Sequence, residues 1–502
     1  MVLSLHFLFT QHSGPSTLFA PTYTKLIMNS IVLVNPPYSF WSPEKNYLRP
    51  FIGNLPSLGI LSLAAVLRKA GFPARIVEGA SLGLSFSRTV DTILRERPKY
   101  VGLSCTTASV ENAAKIALAV KEKSPETLIL AGGPHITALP EETFRRFADI
   151  DFGIVGEGEA ALLDLMEALE GDRNLSRVES AVYREGEAIR INPRRKFIDD
   201  LDTLPFPAFD LLPGFPRDYH APFLNYPMGP AASLTSSRGC PQACTFCDRS
   251  VFGNRYRYFS EDYLWELISF LRRQYGIRHL VFTDDQFAAF RPRLVRLCEK
   301  MVSGNLEMGW NCDARVDSVD PDLLRLMKRA GCWMISYGIE SGAQKILDRI
   351  RKGITLEQVE QAVRWTKEAG IRAKGLFMIG YPEETKETLG QTLSFIGRIS
   401  LDEINLSFLT PYPGTEIYRT VKGSVEFAED WGRMNALNCL LQPRALSCPE
   451  LEKAYGKIIR RFYLRPGPTL SYLGLLLKSP ENRGRLAEGI YRWLVEKVKG
   501  QG

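Results

Sequence analysis

The sequence predicts an α/β chain: an N-terminal doubly wound (Rossmann-like) domain, a partial (β/α)6 TIM-type barrel and a helical C-terminal region. Three observations predict this class. Short apolar runs alternate with amphipathic stretches over 31 to 170, and the alternation resumes from 232 to about 410. Helical cycles of apolar and basic residues then fill 416 to 502. At 502 residues the chain exceeds one ordinary domain. Its 45% hydrophobic and 24% charged residues are those of a globular protein, and a net charge of +7 is too mild for a nucleic-acid signature. The nine cysteines are clustered or isolated, not laid out as a disulfide framework, which fits a reducing, cytoplasmic setting.

In the first half, strands are predicted at 31–35, 75–78, 100–104, 128–131 and 152–155, with helices near 57–70, 86–97, 110–123, 140–148 and 159–169. Four- and five-residue apolar strands between helices are the mark of a parallel sheet, and such sheets bind ligands beyond the carboxyl ends of their strands. The strand-end loops there are Asn35-Pro-Pro-Tyr38, Ser104-Cys-Thr-Thr-Ala-Ser109, Gly132-Gly-Pro-His-Ile-Thr137 and Gly156-Glu-Gly-Glu159. Their glycines and hydroxyls permit close backbone approach to a large ligand, though such loops also serve as caps and turns. No Gly-x-Gly-x-x-Gly follows the first strand, which disfavours a dinucleotide. Ahead of this domain, residues 1 to 27 read as a leader, with a domain start at Met28. Residues 171 to 230 read as a connector holding a small hairpin near 182–190 and a Pro-punctuated extended run at 204–210.

The second half, 231 to 415, predicts strands near 232–236, 278–283, 308–313, 333–338, 372–379 and 404–409, each followed by a helix except the last. Six such strands make an open barrel; a closed one needs eight. Barrel chemistry gathers at strand carboxyl ends, which here carry Asp284 and Asp285, Arg315, the run Gly338-Ile-Glu-Ser-Gly342, and Gly380.

After the first barrel strand comes Ser237-Arg-Gly-Cys-Pro-Gln-Ala-Cys-Thr-Phe-Cys247, in which Cys240, Cys244 and Cys247 stand at Cys-x3-Cys-x2-Cys spacing. Thiolates this close on one loop converge on one centre, and soft sulfur selects zinc or an iron–sulfur cluster. Structural zinc needs four ligands, and the next candidates, His279 and Cys298, lie in a strand edge and a helix. Three ligands with no fourth suit a cubane [4Fe–4S] cluster with one iron open. Cys298, Cys312 and Cys332 read as inert buried thiols, and Cys439 and Cys448 stay as a candidate substrate-side pair.

The cysteine spacing, with an aromatic just before the third Cys, resembles the cluster loop of the radical S-adenosylmethionine (SAM) enzymes. The helix 61 to 72 and the motifs Val101-Gly-Leu-Ser-Cys-Thr-Thr107, Gly132-Gly-Pro-His-Ile-Thr137 and Val155-Gly-Glu-Gly-Glu159 resemble the cobalamin-binding domain that precedes many radical SAM cores. The resemblance implies three cofactors: a [4Fe–4S] cluster on Cys240, Cys244 and Cys247, SAM, and cobalamin. For SAM it implies Asp284 or Asp285 at the methionine amine, Arg315 at the carboxylate, Gly338, Glu340 and Ser341 along the amino-acid or ribose part, and Gly380 beside the adenine. For cobalamin it implies Pro37, Ser104, Thr106, Thr107, Gly132, Gly133, His135, Gly156, Glu157 and Gly158. The Asp-x-His-x-x-Gly motif is absent, so His135 reads as a loop-shaping or cofactor-edge residue and not as a cobalt ligand.

The same resemblance implies an activity. A 5′-deoxyadenosyl radical would take hydrogen from an unactivated carbon of a small-molecule or lipid-like substrate, and cobalamin would deliver the methyl group. A flavodoxin- or ferredoxin-type electron donor is implied, and nucleic acid is not. An oxidative cyclase on a tetrapyrrole-like ring is the alternative reaction, as in the anaerobic magnesium-protoporphyrin monomethyl ester cyclase. A cobalamin-binding sensor is the alternative class, which the intact cysteine loop opposes. The basic tail 416 to 502 reads either as a cap over the barrel or as an amphipathic face for peripheral membrane contact.

Overall fold

The computed structural model describes residues 30–37, 53–223, 225–226 and 228–499. The expected leader and its Met28 boundary, like Tyr38, lie outside the described residues. The first sheet has seven strands in the order β2-β1-β3-β4-β5-β6-β7. Strands β1 (Ile31–Asn35), β2 (Ala74–Glu78), β3 (Tyr100–Ser104), β4 (Leu128–Gly132) and β5 (Phe152–Ile154) run parallel. The order reverses at β1, which pairs with both β2 and β3, and a crevice opens there beyond the strand ends. Helices cover the sheet because their apolar residues recur at helical spacing. In Leu58–Lys69, for example, Ile60, Leu61, Ala64, Ala65 and Leu67 are buried.

The hairpin expected within the connector is present as β6 (Ala181–Glu185) and β7 (Ala188–Ile191), but it belongs to this sheet. Strand β6 pairs antiparallel with β5, so the sheet runs to Ile191 and not to 170. Tyr183 and Val182 bury against β5, which supplies the reason. The helix expected near 140–148 is present as Pro140–Arg146, and a short helix not foreseen, Pro134–Ala138, precedes it; Leu139 leaves helical geometry and Pro140 restarts the chain.

The second sheet is six-stranded and wholly parallel: β8 (Ala231–Leu234), β11 (His279–Phe282), β12 (Gly309–Ala314), β13 (Cys332–Glu340), β14 (Arg372–Ile379) and β15 (Glu403–Phe408), in that spatial order. Its helices start where the sequence places caps: Ser260 accepts from the Tyr263 amide, and Thr355 and Thr385 close reciprocal capping boxes. Two short strands unforeseen in the sequence, β9 (Ser237–Arg238) and β10 (Arg257–Tyr258), pair antiparallel and form the stem of the cysteine loop. Three helices end the chain, Cys448–Tyr463, Pro466–Lys478 and Pro480–Lys499; among the described residues no helix is long and apolar enough to cross a membrane. Glu481 of the last one accepts from the Tyr226 hydroxyl, and Arg485 donates to the Ala221 carbonyl, which ties the tail to the connector.

Candidate functional site: a three-cysteine loop facing an inter-domain cavity

A cavity of about 420 Å³ lies between the two sheets. One wall is the carboxyl edge of the first sheet, with Ser104, Thr106, Gly132, Gly133, Gly156, Glu157 and Gly158, all expected from the sequence. Its floor is apolar: Leu33, Leu103, Leu130, Ile154, and Leu63 and Leu162 from the flanking helices, none of them singled out in the sequence. Apolar strand ends look like core until the fold opens a space above them. The facing wall belongs to the barrel rim, with Thr235, Ser237, Arg238, Thr283 and Asp285.

The glycines shape this space. A Cβ on Gly102 would stand 2.7 Å from Leu33 Cδ2. Gly133 has φ +103°, and a Cβ there would meet the Cys105 carbonyl oxygen at 2.8 Å. Gly156 has φ +82° with nothing within 4 Å of its Cβ position, so its open side is the cavity itself. A large flat ligand lying against bare backbone with apolar contacts beneath fits this donor set, and a B12-type cofactor is such a ligand.

Three expected residues stay off the cavity. Pro37 packs on Gly79, and its carbonyl accepts from Asn112 Nδ2 at 2.8 Å. Thr107 is buried, 3.2 Å from His135 Nδ1. His135 is fully buried edge-on to Trp431, with ring centroids 4.4 Å apart. Burial, with Arg146 nearby, lowers its pKa to about 4, so it is a neutral wedge between the first domain and the segment carrying Trp431. Glu157 lines the cavity but its carboxylate is engaged elsewhere: Oε1 accepts from Arg238 at 3.1 Å and Arg257 at 2.8 Å, and Oε2 from the Ile198 amide at 2.9 Å.

Cys240, Cys244 and Cys247 sit on the loop whose stem residues, Ser237 and Arg238, line the cavity, with Cys247 exposed, Cys244 buried and Cys240 between. The Cys244 pKa falls to about 6: Cys247 donates to it, and Lys352 and Arg315 add positive potential against the cost of burial. Among the described residues no three His, Cys, Asp or Glu side chains gather as for a single metal ion. The three thiols, one already favouring the thiolate, fit a cluster held by this loop alone.

The barrel-end residues differ in how far the protein itself engages them; the Gly239 amide already donates to Asp285. Asp285 is exposed on the cavity wall. Asp284 is buried, accepting from the Ser236 amide at 3.0 Å, the Ser236 hydroxyl at 2.9 Å and the Ser237 hydroxyl, so its role is to fix the start of the cysteine loop. Arg315, expected to clamp a carboxylate, is already committed: Asp317 holds Nε at 2.9 Å and Nη2 at 2.8 Å, and the Lys352 carbonyl holds Nη1 at 2.8 Å. Ser341 hydrogen-bonds Thr392 at 3.2 Å and receives the Ala343 amide, a structural corner. Gly380, at φ +94°, donates its amide to the buried Glu384 at 2.8 Å.

Glu340, at φ +68°, pairs with Lys352 Nζ at 2.7 Å. Lys352 is buried, was missed in the sequence, and reaches the end of β13 through its pair with Glu340. It arrives through the short helix Gln344–Arg349 and the turn after it, a route without a sequence pattern. A Cβ on Gly338 would touch both Lys352 Nζ, at 2.7 Å, and Glu340 Oε1, at 2.8 Å, so a larger residue there would push the ends of the pair aside. Cys439 and Cys448, the candidate substrate-side pair, are instead joined in a disulfide that anchors the start of the helix Cys448–Tyr463.

Fold and site define a two-domain enzyme in which a cofactor-type parallel sheet faces the mouth of a partial barrel bearing a three-cysteine loop. Residues 234–396 match the family model of the radical SAM superfamily, and 47–166 that of the B12 binding domain. An uncharacterised methyltransferase of Pyrococcus horikoshii is 31% identical over 84% of this chain and 91% of its own length. The anaerobic magnesium-protoporphyrin IX monomethyl ester cyclase of Cereibacter sphaeroides is 27% identical over 87% of this chain and 70% of its own. The radical SAM methyltransferase TsrM of Kitasatospora setae, solved with cobalamin and a [4Fe–4S] cluster, shares the fold with a TM-score of 0.68 at 17% identity, over 88% of this chain and 89% of that one. The chain belongs to the radical SAM superfamily, with the superfamily core set behind a B12-binding domain. Its cofactors are accordingly a [4Fe–4S] cluster, SAM and cobalamin.

Proposed function

We propose that this enzyme methylates an unactivated carbon of a small-molecule or lipid-like substrate. The observation that carries this reading is the cavity itself, which joins the glycine-lined edge of the B12-type sheet to the barrel rim beside the cysteine loop. When bound, the three cofactors supply a carbon-centred radical and a methyl donor. The chain's own part is positioning and shielding. Cys240, Cys244 and Cys247 hold the cluster. Asp285, on the rim, suits a ligand ammonium, and Lys352, fixed by Glu340, adds with Arg315 positive potential beside Cys244. Gly338 leaves room for the Lys352–Glu340 pair, and Gly380 sets the turn beyond β14. Ser104, Thr106, Gly132, Gly133, Gly156 and Gly158 give the cobalamin face, with the leucine floor excluding water beneath.

Reduction of the cluster calls for a flavodoxin- or ferredoxin-type donor. For the tail, Leu464, Leu470, Leu473 and Leu477 stand 50–80% exposed beside exposed Lys453, Lys457, Arg460 and Arg461, a composition suited to an anionic membrane surface and to a lipid-like substrate. The similarity to the protoporphyrin ester cyclase favours oxidative cyclisation as the second reading. The two differ in one cheap measurement. Anaerobic protein given hydroxocobalamin, reductant and methyl-labelled SAM should move label to cobalamin and release S-adenosylhomocysteine. Bound cobalamin without label transfer would leave the cyclase reading.

A further inference from the structure

The stem of the cysteine loop carries a charge problem that the other domain solves. Arg238 and Arg257 lie directly opposite each other on β9 and β10, three residues or fewer outside the loop's first thiol on one side and closing the loop on the other. Like charges directly across a strand pair repel, and here both guanidinium groups are buried, their side chains 9% and 2% exposed. Glu157 lies between them, 3.1 Å from Arg238 and 2.8 Å from Arg257, itself only 6% exposed. Glu159, 7% exposed, takes the other arm of the Arg238 fork and is steadied by the Ser62 hydroxyl at 2.8 Å. Two carboxylates from the loop that lines the cavity thus balance two arginines from the stem of the cysteine loop.

We propose that this four-residue clamp couples the two cofactor sites, with Glu157 and Arg238 as positioning residues that make the order of the cysteine loop depend on the state of the Gly156–Glu159 loop. An apolar seam would let the domains slide; a buried two-by-two charge set has one good register, and loss of either carboxylate strands a buried arginine. Whatever orders the cavity loop therefore orders the stem that presents Cys240. The inference rests on the reading that the cavity takes cobalamin.

The test uses the full chain, anaerobically reconstituted with iron and sulfide, and hydroxocobalamin as probe. Binding is read from cobalamin absorbance, and iron loss to a chelator is timed with and without hydroxocobalamin. In the wild type, bound hydroxocobalamin should slow iron loss about fivefold or more, the lower end of ordinary site-to-site coupling. In Glu157→Gln the slowing should vanish at hydroxocobalamin concentrations that saturate the variant, as read from its own absorbance titration. Arg238→Lys guards against misfolding: it keeps the charge but a single ammonium cannot span both carboxylates, so it too should lose the slowing while its circular dichroism spectrum and hydroxocobalamin absorbance show a folded, cofactor-binding chain. Equal slowing in wild type and both variants, or none in a wild type that binds hydroxocobalamin, overturns the clamp and leaves the function standing. A wild type that does not bind hydroxocobalamin overturns both.

Discussion

Replacing Lys352 by Met should leave the Glu340 carboxylate buried without a partner. The pair is 2.7 Å apart, and its side chains are 9% and 13% exposed. Breaking a pair this buried costs about 3–5 kcal/mol, because the surviving charge keeps its desolvation penalty and loses its compensation. The surface pair Arg145–Glu141, at 71% and 57% exposure, sets the scale for an ordinary ion pair, about 0.3–0.5 kcal/mol. Lys352→Met and Arg145→Met should therefore differ roughly tenfold in their effect on unfolding free energy, read from urea unfolding followed by circular dichroism. The double variant Lys352→Met/Glu340→Leu should recover most of the loss, since it strands no charge. It should still bind SAM more weakly, because the cation beside Gly338 is gone. A Lys352→Met midpoint equal to that of Arg145→Met, or a double variant no more stable than the single, would refute the reasoning.

Three further outcomes follow from the geometry. His135 has its folded pKa lowered to about 4 from 6.5, so its contribution to stability is present above pH 6.5 and is lost as pH falls through 4, up to about 3 kcal/mol; His135→Asn should flatten the acid limb of the stability profile, and an unchanged limb would count against it. Ser104→Leu pushes a side chain into the cavity, which should cost about 1–3 kcal/mol of cobalamin affinity, about fivefold to 150-fold, with iron content unchanged. The Cys439–Cys448 disulfide closes a short loop, worth up to about 3 kcal/mol; reductant should lower the melting temperature of the wild type and leave that of Cys439→Ala/Cys448→Ala where it is.

Much of the architecture was legible in the sequence because strand–helix alternation has a period, and a period shows in one chain. The six barrel strands and the first five strands of the N-terminal sheet were found where apolar runs placed them, to within a residue or two. The cysteine loop was legible because its ligands are adjacent. Residues that act through long-range pairing left no such trace. Lys352 reads as one lysine among many until the turn after Arg349 returns it to Glu340. Arg238 and Glu157 are 81 residues apart, and only the packed domains bring them together. The same limit explains Arg315 and Asp284: residue type and strand-end position pointed to ligand binding, while neighbours invisible in the sequence, Asp317 and Ser236, had already engaged them. The hairpin of β6 and β7 was seen as a hairpin, but its attachment to β5 depends on burial of Val182 and Tyr183 against a partner 30 residues away.

The central claim is that Cys240, Cys244 and Cys247 start the reaction by holding a [4Fe–4S] cluster that reduces SAM. The most direct measurement is 5′-deoxyadenosine formed by anaerobically reconstituted protein supplied with SAM and a strong reductant. Wild type should form it, and Cys240→Ala/Cys244→Ala/Cys247→Ala should lose it together with the bound iron. Iron-replete, reduced wild type that leaves SAM intact would contradict the central claim.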